Sequence, residues 1–364
     1  MKKVLIISNM YPSMEHLSYG IFVKNQVEQL RENGIESLLA VNADPKTGKL
    51  NVLKKYAKWA IKVNSSFKKN KKDIELTHCH YVFPSGLFSY RLKKKYGIPY
   101  VVTAHGGDIN KMAKKGGRIR EYTNKILQNA DHIIAVGEEL ASDIQRDFGV
   151  EESRISVMSM GIDRTVFYKS ASKEEAMKQV NMDPNRTNFL FVGNIIQEKG
   201  VEELISAFNQ LDCNYPDQVA LYCVGSTKDT AFTDRMKELA GANKNIHFIE
   251  PMPQNRLAEY FQAANVFVLP SYIEGLGLVA LEAMSCGTPV IASDVGGLHY
   301  MLQDGAGVLV PPKDANALFM EFEKVVLNKG QMNVNEAKVD ELLQLHDSKT
   351  IIARLTEIYR RYSK

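Results

Sequence analysis

Cysteine is scarce in this sequence of 364 residues: Cys79, Cys213, Cys223 and Cys286 stand far apart, with no CxxC pair. That scatter argues against a zinc cage, a redox motif or a disulfide framework, and reads as four reduced core thiols of a cytoplasmic protein. Long apolar runs are missing too. Met1-Lys2-Lys3 precedes Val4-Leu5-Ile6-Ile7, but the run stops at Ser8-Asn9, too short for a secretory core. No stretch approaches the roughly 18 apolar residues that span a bilayer, so the first run is expected to be a buried strand and any membrane contact peripheral. A GxGxxG turn is absent after that run, where Ser8-Asn9-Met10-Tyr11-Pro12 stands and the first glycine is Gly20, which removes most support for a nicotinamide oxidoreductase. Gly193-Asn194-Ile195-Ile196-Gln197-Glu198-Lys199-Gly200 lacks the second glycine and the Ser/Thr of a P-loop. No aspartate pair has DxD spacing.

What is present is ordinary globular composition, with 45% hydrophobic and 24% charged residues, 24 glycines and 12 prolines. The length is about twice that of a typical domain, which predicts two. The net charge of +4 divides unevenly, into +10 over residues 1–165 and −6 over the remainder. A basic first half is expected to face something anionic: a membrane surface, a lipid phosphate or nucleic acid. Nucleic acid is set aside because stacking aromatics do not interleave the lysines and no recognisable module is present.

Short β-branched runs alternate with amphipathic stretches along most of the chain. Strands are predicted at Lys3–Ser8, Ser37–Val41, Ile74–Cys79, Pro99–Thr103, His132–Val136 and Ile155–Val157. A second series follows at Asn188–Val192, Val219–Val224, Ile246–Ile249, Val266–Leu269, Pro289–Ala292 and Val308–Val310. Two such series predict two doubly wound α/β domains with parallel sheets, whose ligands bind beyond the carboxyl ends of the strands. Ser159–Asn185 reads as the linker, and the helical pattern Thr350–Tyr362 as an element that packs back on the first domain.

Lys46–Lys72 carries ten lysines and no acidic residue. On a helical wheel Lys54, Lys55, Lys58 and Lys62 fall within roughly 100°, with Leu53, Tyr56, Ala57, Trp59, Ala60, Ile61 and Val63 over the rest. This suits either an anionic membrane surface or an ordinary domain helix with a solvated lysine face.

The most specific constellation is Glu274-Gly275-Leu276-Gly277-Leu278-Val279-Ala280-Leu281-Glu282, which follows a predicted strand. On one helix the two glutamates would lie about 80° and about 12 Å apart. A split between loop and helix is the alternative, with Glu274 in the turn, glycines permitting close backbone approach and a helix starting near Leu278 whose free N–H groups face an anion. Glu282 would then accept ribose hydroxyls. The spacing alone leaves open a loop glutamate and an unrelated surface glutamate.

Pro270 through Ser293 reads Pro-Ser-Tyr-Ile-Glu-Gly-Leu-Gly-Leu-Val-Ala-Leu-Glu-Ala-Met-Ser-Cys-Gly-Thr-Pro-Val-Ile-Ala-Ser. The segment closely resembles the glutamate-pair hallmark of the family 4 retaining glycosyltransferases of the GT-B fold. Val295-Gly296-Gly297, Asp304-Gly305 and Gly307 to Pro312 continue the resemblance, and Phe191-Val192-Gly193 leading to Lys199-Gly200 is similar to the family's donor-phosphate motif. Met160-Gly161-Ile162-Asp163 with Phe167 resembles its domain-crossing segment. More loosely, Asn9 to Pro12, Tyr19 to Val23, His78-Cys79-His80, Pro84-Ser85-Gly86 and Thr103 to Asp108 resemble members that build teichuronic acid or exopolysaccharide.

The resemblance implies a GT-B architecture of two Rossmann-like domains facing a cleft. Residues 1–165, with a helix over about 350–364, would bind the acceptor, and residues 166–349 the nucleotide-sugar donor. It implies that Lys199 neutralises the donor diphosphate, that Glu282 holds the ribose, and that Glu274 and the backbone of Gly275, Leu276, Gly277 and Leu278 meet sugar and phosphates. His105 would reach the sugar, Gly20 and Gly193 would let loops approach the diphosphate, and Asp108 would lie near the acceptor. Asn194 replaces an arginine common at that position, which shifts phosphate stabilisation onto Lys199 and the helix N-terminus. His78 and His80 share one side of a strand like a metal pair but lack a third ligand at a recognisable spacing.

The implied activity is retaining, metal-independent transfer from a nucleotide diphosphosugar, UDP-sugar first and guanine as runner-up base, to a glycan or lipid-linked acceptor of surface polysaccharide synthesis. No cofactor is expected. A catalytically silent sugar-nucleotide-binding partner subunit is the alternative that Asn194 sustains. A hydrolysing sugar-nucleotide epimerase shares the two-domain plan but is disfavoured by the intact glutamate motif.

Overall fold

The computed structural model describes residues 3–14, 16, 19–44, 49–114, 116–227 and 229–363. Met1, Lys2 and Lys46 therefore lie outside the described residues, as does the side chain of Leu53. The chain divides into two compact units, Met1–Gly161 with Ser348–Lys364, and Ile162–Asp347.

The first unit runs β1 (Lys3–Ser8), α1 (Ile21–Glu32), β2 (Glu36–Val41), α2 (Lys49–Asn70), β3 (Ile74–His80), α3 (Ser85–Tyr96) and β4 (Tyr100–Ala104). A π-helical turn over Gly107–Met112 leads to α4 (Gly117–Asn129), β5 (His132–Ala135), α5 (Glu138–Phe148) and β6 (Ile155–Val157). The six strands form one parallel sheet in the order β2-β1-β3-β4-β5-β6. Because helices cover both faces, the strands carry continuous apolar runs, and Val4, Leu5, Ile6 and Ile7 are completely buried.

The second unit runs α6 (Lys173–Gln179), β7 (Thr187–Val192), α7 (Val201–Asn214), β8 (Val219–Val224), α8 (Thr230–Ala240), β9 (Ile246–Ile249), α9 (Gln254–Ala263) and β10 (Val266–Leu269). It continues through α10 (Leu278–Ser285), β11 (Val290–Ser293), α11 (Gly296–Leu302), β12 (Val308–Val310), α12 (Ala315–Leu327) and α13 (Glu336–Leu345). Its parallel sheet has the order β12-β11-β10-β7-β8-β9, which is the 3-2-1-4-5-6 order of a dinucleotide-binding sheet counted from β7. A final helix, α14 (Ser348–Tyr362), packs within the first unit. Its Ile351, Ile352, Leu355 and Tyr359 join the core of Val4, Ile6, Val23 and Val27.

One reading of the sequence changes, and one left open is narrowed. Cys79, Cys223 and Cys286 are buried, but Cys213, in the last turn of α7, is exposed and is no core thiol. In α2, Trp59, Val63 and Phe67 recur every four residues and are buried, and the Trp59 indole N–H donates to the Ala40 carbonyl at 2.7 Å. The apolar stripe that an interfacial helix would place in lipid thus belongs to the domain core, because β2 and α3 cover it. Lys54, Lys58 and Lys62 remain exposed beside Ile61, which is 69% exposed.

Candidate active site

In the second unit β7 and β10 are neighbours whose connections leave to opposite sides of the sheet, so the loops after them flank the switch point where ligands of such sheets bind. The loop after β7 carries Gly193, Asn194 and Lys199; the loop after β10 carries Glu274 to Gly277. The structure brings Lys199 and Glu274 together as an ion pair, with side chains 25% and 14% exposed. Ser271 Oγ donates to the same Glu274 oxygen at 2.9 Å. Two further contacts fasten the loops to each other and to α7: the Tyr272 N–H donates to the Glu198 carbonyl at 2.9 Å, and the Tyr272 hydroxyl to Glu203 Oε1 at 2.6 Å.

The split reading of the glutamate pair is the observed one. Gly277 adopts φ +83° immediately before α10, and a Cβ there would meet Leu298 Cδ2 at 2.5 Å, so the turn that starts the helix needs glycine. The helix therefore begins at Leu278, and its first-turn N–H groups carry the partial positive charge that anions seek. Gly275 is exposed, and its carbonyl is fixed by the Gly297 N–H at 3.1 Å. Leu276 packs partly buried against the core. Glu282 sits one turn inside α10, where burial pushes its carboxyl up to about 8 against a lowering bond from Gln254. The Gly193 N–H is tied to the Val224 carbonyl at 3.0 Å, and Asn194 beside it is exposed.

In the first unit the corresponding switch point lies between β1 and β3. Gly20, at φ +73°, caps α1 and lies on the loop after β1, where a Cβ would come within 2.7 Å of the Met10 carbonyl carbon. Gly20 thus closes that loop on itself. His80 ends β3 and His105 follows β4; His80 Nδ1 and His105 Nε2 are 3.3 Å apart, and His105 lies between the rings of Phe22 and Tyr81. Asp108 is buried and clasps the two loops, accepting from the Val82 N–H at 2.7 Å and the His105 N–H at 3.1 Å. Burial raises its carboxyl despite those bonds.

His78 Nδ1 is 2.5 Å from the Tyr359 hydroxyl and its Nε2 2.8 Å from Thr103 Oγ1, so both ring nitrogens have partners and neither is open to a metal. Burial pulls His78 and His105 well down and His80 to about 3, which keeps the three imidazoles neutral at physiological pH. Among the described residues no group of three or more His, Cys, Asp or Glu could hold a metal.

Sequence reasoning missed Ser271, Tyr272, Glu203 and Gln254 around the glutamates. It also missed Lys313, whose Nζ lies 4.8 Å above the Tyr272 ring. Only Ser271 and Tyr272 carried a signal, since both lie inside the quoted motif. In the first unit, Lys55, Lys58 and Lys62 line a pocket of about 590 Å³ with Met14 and Trp59, beyond the end of β2.

The family model described as glycosyltransferase family 4 matches residues 20–166, and that described as glycosyl transferases group 1 matches residues 172–338. D-inositol 3-phosphate glycosyltransferase 2 of Catenulispora acidiphila is 32% identical over 256 residues, which are 66% of this chain and 60% of that protein. Alpha-maltose-1-phosphate synthase of Mycolicibacterium smegmatis is 32% identical over 66% of this chain and 65% of its own length, so the chain spans less than two thirds of both. TuaC of Bacillus subtilis, named for teichuronic acid biosynthesis, is 26% identical over 353 residues, 87% of each chain. Among solved structures, sucrose-phosphate synthase from Thermosynechococcus elongatus superposes with a TM-score of 0.81 at 23% identity, covering 99% of both chains. Anabaena HepE, in complex with UDP and glucose, does so at 0.78 and 17% identity over 99% of this chain and 100% of its own. With both sheets in the arrangement of the GT-B fold and both halves matched by family models, this chain belongs to the family 4 glycosyltransferases.

Proposed function

We propose that the protein transfers a sugar, with retention of anomeric configuration and without a metal, from a nucleotide diphosphosugar to a glycan or lipid-linked acceptor of surface polysaccharide synthesis. The observation that carries the reading is the convergence of Lys199, Glu274 and the start of α10 on one switch point, with Glu282 one turn behind. As the glycosidic bond breaks, negative charge grows on the leaving diphosphate. Lys199 and the first-turn N–H groups of α10 stabilise it, and they act without reorganising. Lys199 is shared with Glu274, whose second oxygen is left to orient hydroxyls of the donor sugar. Glu282 accepts from the ribose. His105, neutral and braced by His80 and Asp108, contributes hydrogen bonding rather than charge.

Uracil is the base favoured, supported by the UDP held by HepE, and a polysaccharide-type acceptor is supported by the likeness to TuaC over 87% of each chain. The exposed lysines of α2 and the pocket beside them suit an anionic acceptor or an anionic membrane face, reached through charge without insertion of the helix. Asn194 favours a second reading, a subunit that binds the nucleotide sugar without turning it over.

The test is thermal shift with UDP-, GDP- and ADP-sugars in EDTA, on the wild type and Glu282→Ala. Stabilisation by one nucleotide class, lost in the variant, is expected. A wild type unmoved by every nucleotide, with or without magnesium, overturns the donor assignment, and binding with no turnover of any donor selects the second reading.

A further inference from the structure

One pocket of the second unit lies away from the residues above. It measures about 800 Å³ and opens at the amino-terminal ends of β10 and β11, beside Asn265 and Pro289, whereas Glu274 follows the carboxyl end of β10. The intervening strand has four residues, which separates the two places by about 13 Å at the usual rise.

The pocket's charges are sorted by wall. Arg164 and Lys169 come from the segment that leads into α6, and Lys173 opens that helix. The facing wall is one stripe of α13, Glu336, Val339, Asp340 and Leu343, at the i, i+3, i+4, i+7 spacing of a single helix face. Val339 and Leu343 point into the core, and the two carboxylates stand exposed at the rim. Among the described residues none of these five charged groups forms an ion pair with another, so the pocket holds the cations and carboxylates apart.

The stem of Lys169 runs close to Gly287. Gly287 lines the pocket at φ +78°, and a Cβ there would come within 2.9 Å of Lys169 Cγ and 3.0 Å of its Cδ. The aliphatic stem is therefore laid along bare backbone. Although the Lys173 side chain reaches solvent, desolvation of its ammonium, and then the charge of Lys169, hold it down to about 8.

We propose that this pocket binds a phosphorylated sugar, its phosphate held by Arg164, Lys169 and Lys173 and its hydroxyls by Glu336 and Asp340. A bare anion would gain nothing from the carboxylates, and a neutral sugar nothing from three cations; a sugar phosphate uses both walls. The volume falls in the range of small-molecule sites. Such a ligand is distinct from the donor and independent of how the donor site is read.

The test is titration calorimetry with glucose 6-phosphate, inorganic phosphate and glucose against the intact chain, the double variant Lys169→Ala/Lys173→Ala, and Glu282→Ala. Glucose 6-phosphate is expected to bind at least about ten-fold more tightly than inorganic phosphate, to lose about ten-fold or more in the double variant, and to be unaffected by Glu282→Ala. Melting of the ligand-free double variant at the wild-type temperature confirms that it is folded. Equal affinity for inorganic phosphate overturns the sugar assignment, and undiminished affinity in a folded double variant overturns the location. Loss in Glu282→Ala moves the ligand to the donor site, and no binding at millimolar concentration overturns the proposal altogether.

Discussion

Glu282 is the residue whose chemistry is most altered by its surroundings. With its carboxyl pushed up to about 8, it is mostly neutral at pH 7, whereas the proposed acceptance of one ribose hydroxyl on each oxygen favours the ionised form. Nucleotide binding is therefore expected to release a proton near pH 7. Calorimetry in two buffers of different ionisation enthalpy would reveal the release, and Glu282→Gln should abolish the buffer dependence; identical enthalpies in both buffers for the wild type would sink the assignment. The histidines act in the opposite direction on stability. His80 titrates near 3 in the fold and near 6.5 unfolded, so its contribution is complete above about 6.5 and is lost as pH falls towards 3. Each such histidine steepens acid destabilisation by up to about 1.4 kcal/mol per pH unit. Urea unfolding midpoints between pH 7 and 5 should fall for the wild type and fall less for His80→Phe; parallel profiles would remove His80 as a cause. The split of Glu274 and Glu282 between loop and helix was legible because the glycines between them permit the turn before α10, whereas Lys199, on the separate loop after β7, was singled out only through the family resemblance. The protonation of Glu282 was not legible, since it depends on enclosure by α9 and on Gln254, distant in sequence.

At the scale of elements, the strands were the most legible part, because burial on both faces demands unbroken β-branched and aromatic runs such as Asn188–Val192. What escaped was short or irregular. The segment Ser159–Asn185, read as linker, contains α6, only seven residues long, whose helical period is too brief to register. Its signal was the Ser172-Lys173-Glu174-Glu175 cap, and Ser172 Oγ does accept from the Glu175 N–H at 3.2 Å. The π-helical turn over Gly107–Met112 has no sequence period at all; it is held by Asp108. For α1, Gly20→Ala is expected to cost about 2–4 kcal/mol, since the new Cβ meets the Met10 backbone at a positive φ. A melting temperature within a degree of wild type would show that the loop relaxes freely. In α2 the two faces should separate in experiment. Trp59→Ala is expected to destabilise by about 3–5 kcal/mol. The triple change of Lys54, Lys58 and Lys62 to Glu should leave melting nearly unchanged while weakening sedimentation with anionic vesicles; equal sedimentation by both proteins would assign those lysines to solvation alone.

For the whole molecule, the decisive feature is that the first unit is built from two stretches of chain, Met1–Gly161 and Ser348–Lys364. The late stretch is not ornamental. Ile351, Ile352, Leu355 and Tyr359 are buried in the β1 and α1 core, and Tyr359 supplies the hydroxyl partner of His78. Each buried aliphatic side chain is worth about 1.5–3 kcal/mol, so a chain ending at Asp347 is expected to keep the second unit folded and lose the first. Limited proteolysis followed by mass spectrometry should then return the Ile162–Asp347 unit intact and the preceding residues as small peptides. Survival of both would mean that the first sheet stands without α14. The same division orders events on the ribosome. Although the strands of the first unit are translated before the second unit, its sheet must wait, with the α1 flank uncovered, until α14 leaves the exit tunnel. The second unit, one uninterrupted stretch, can close meanwhile, so the half that emerges first is the half that matures last.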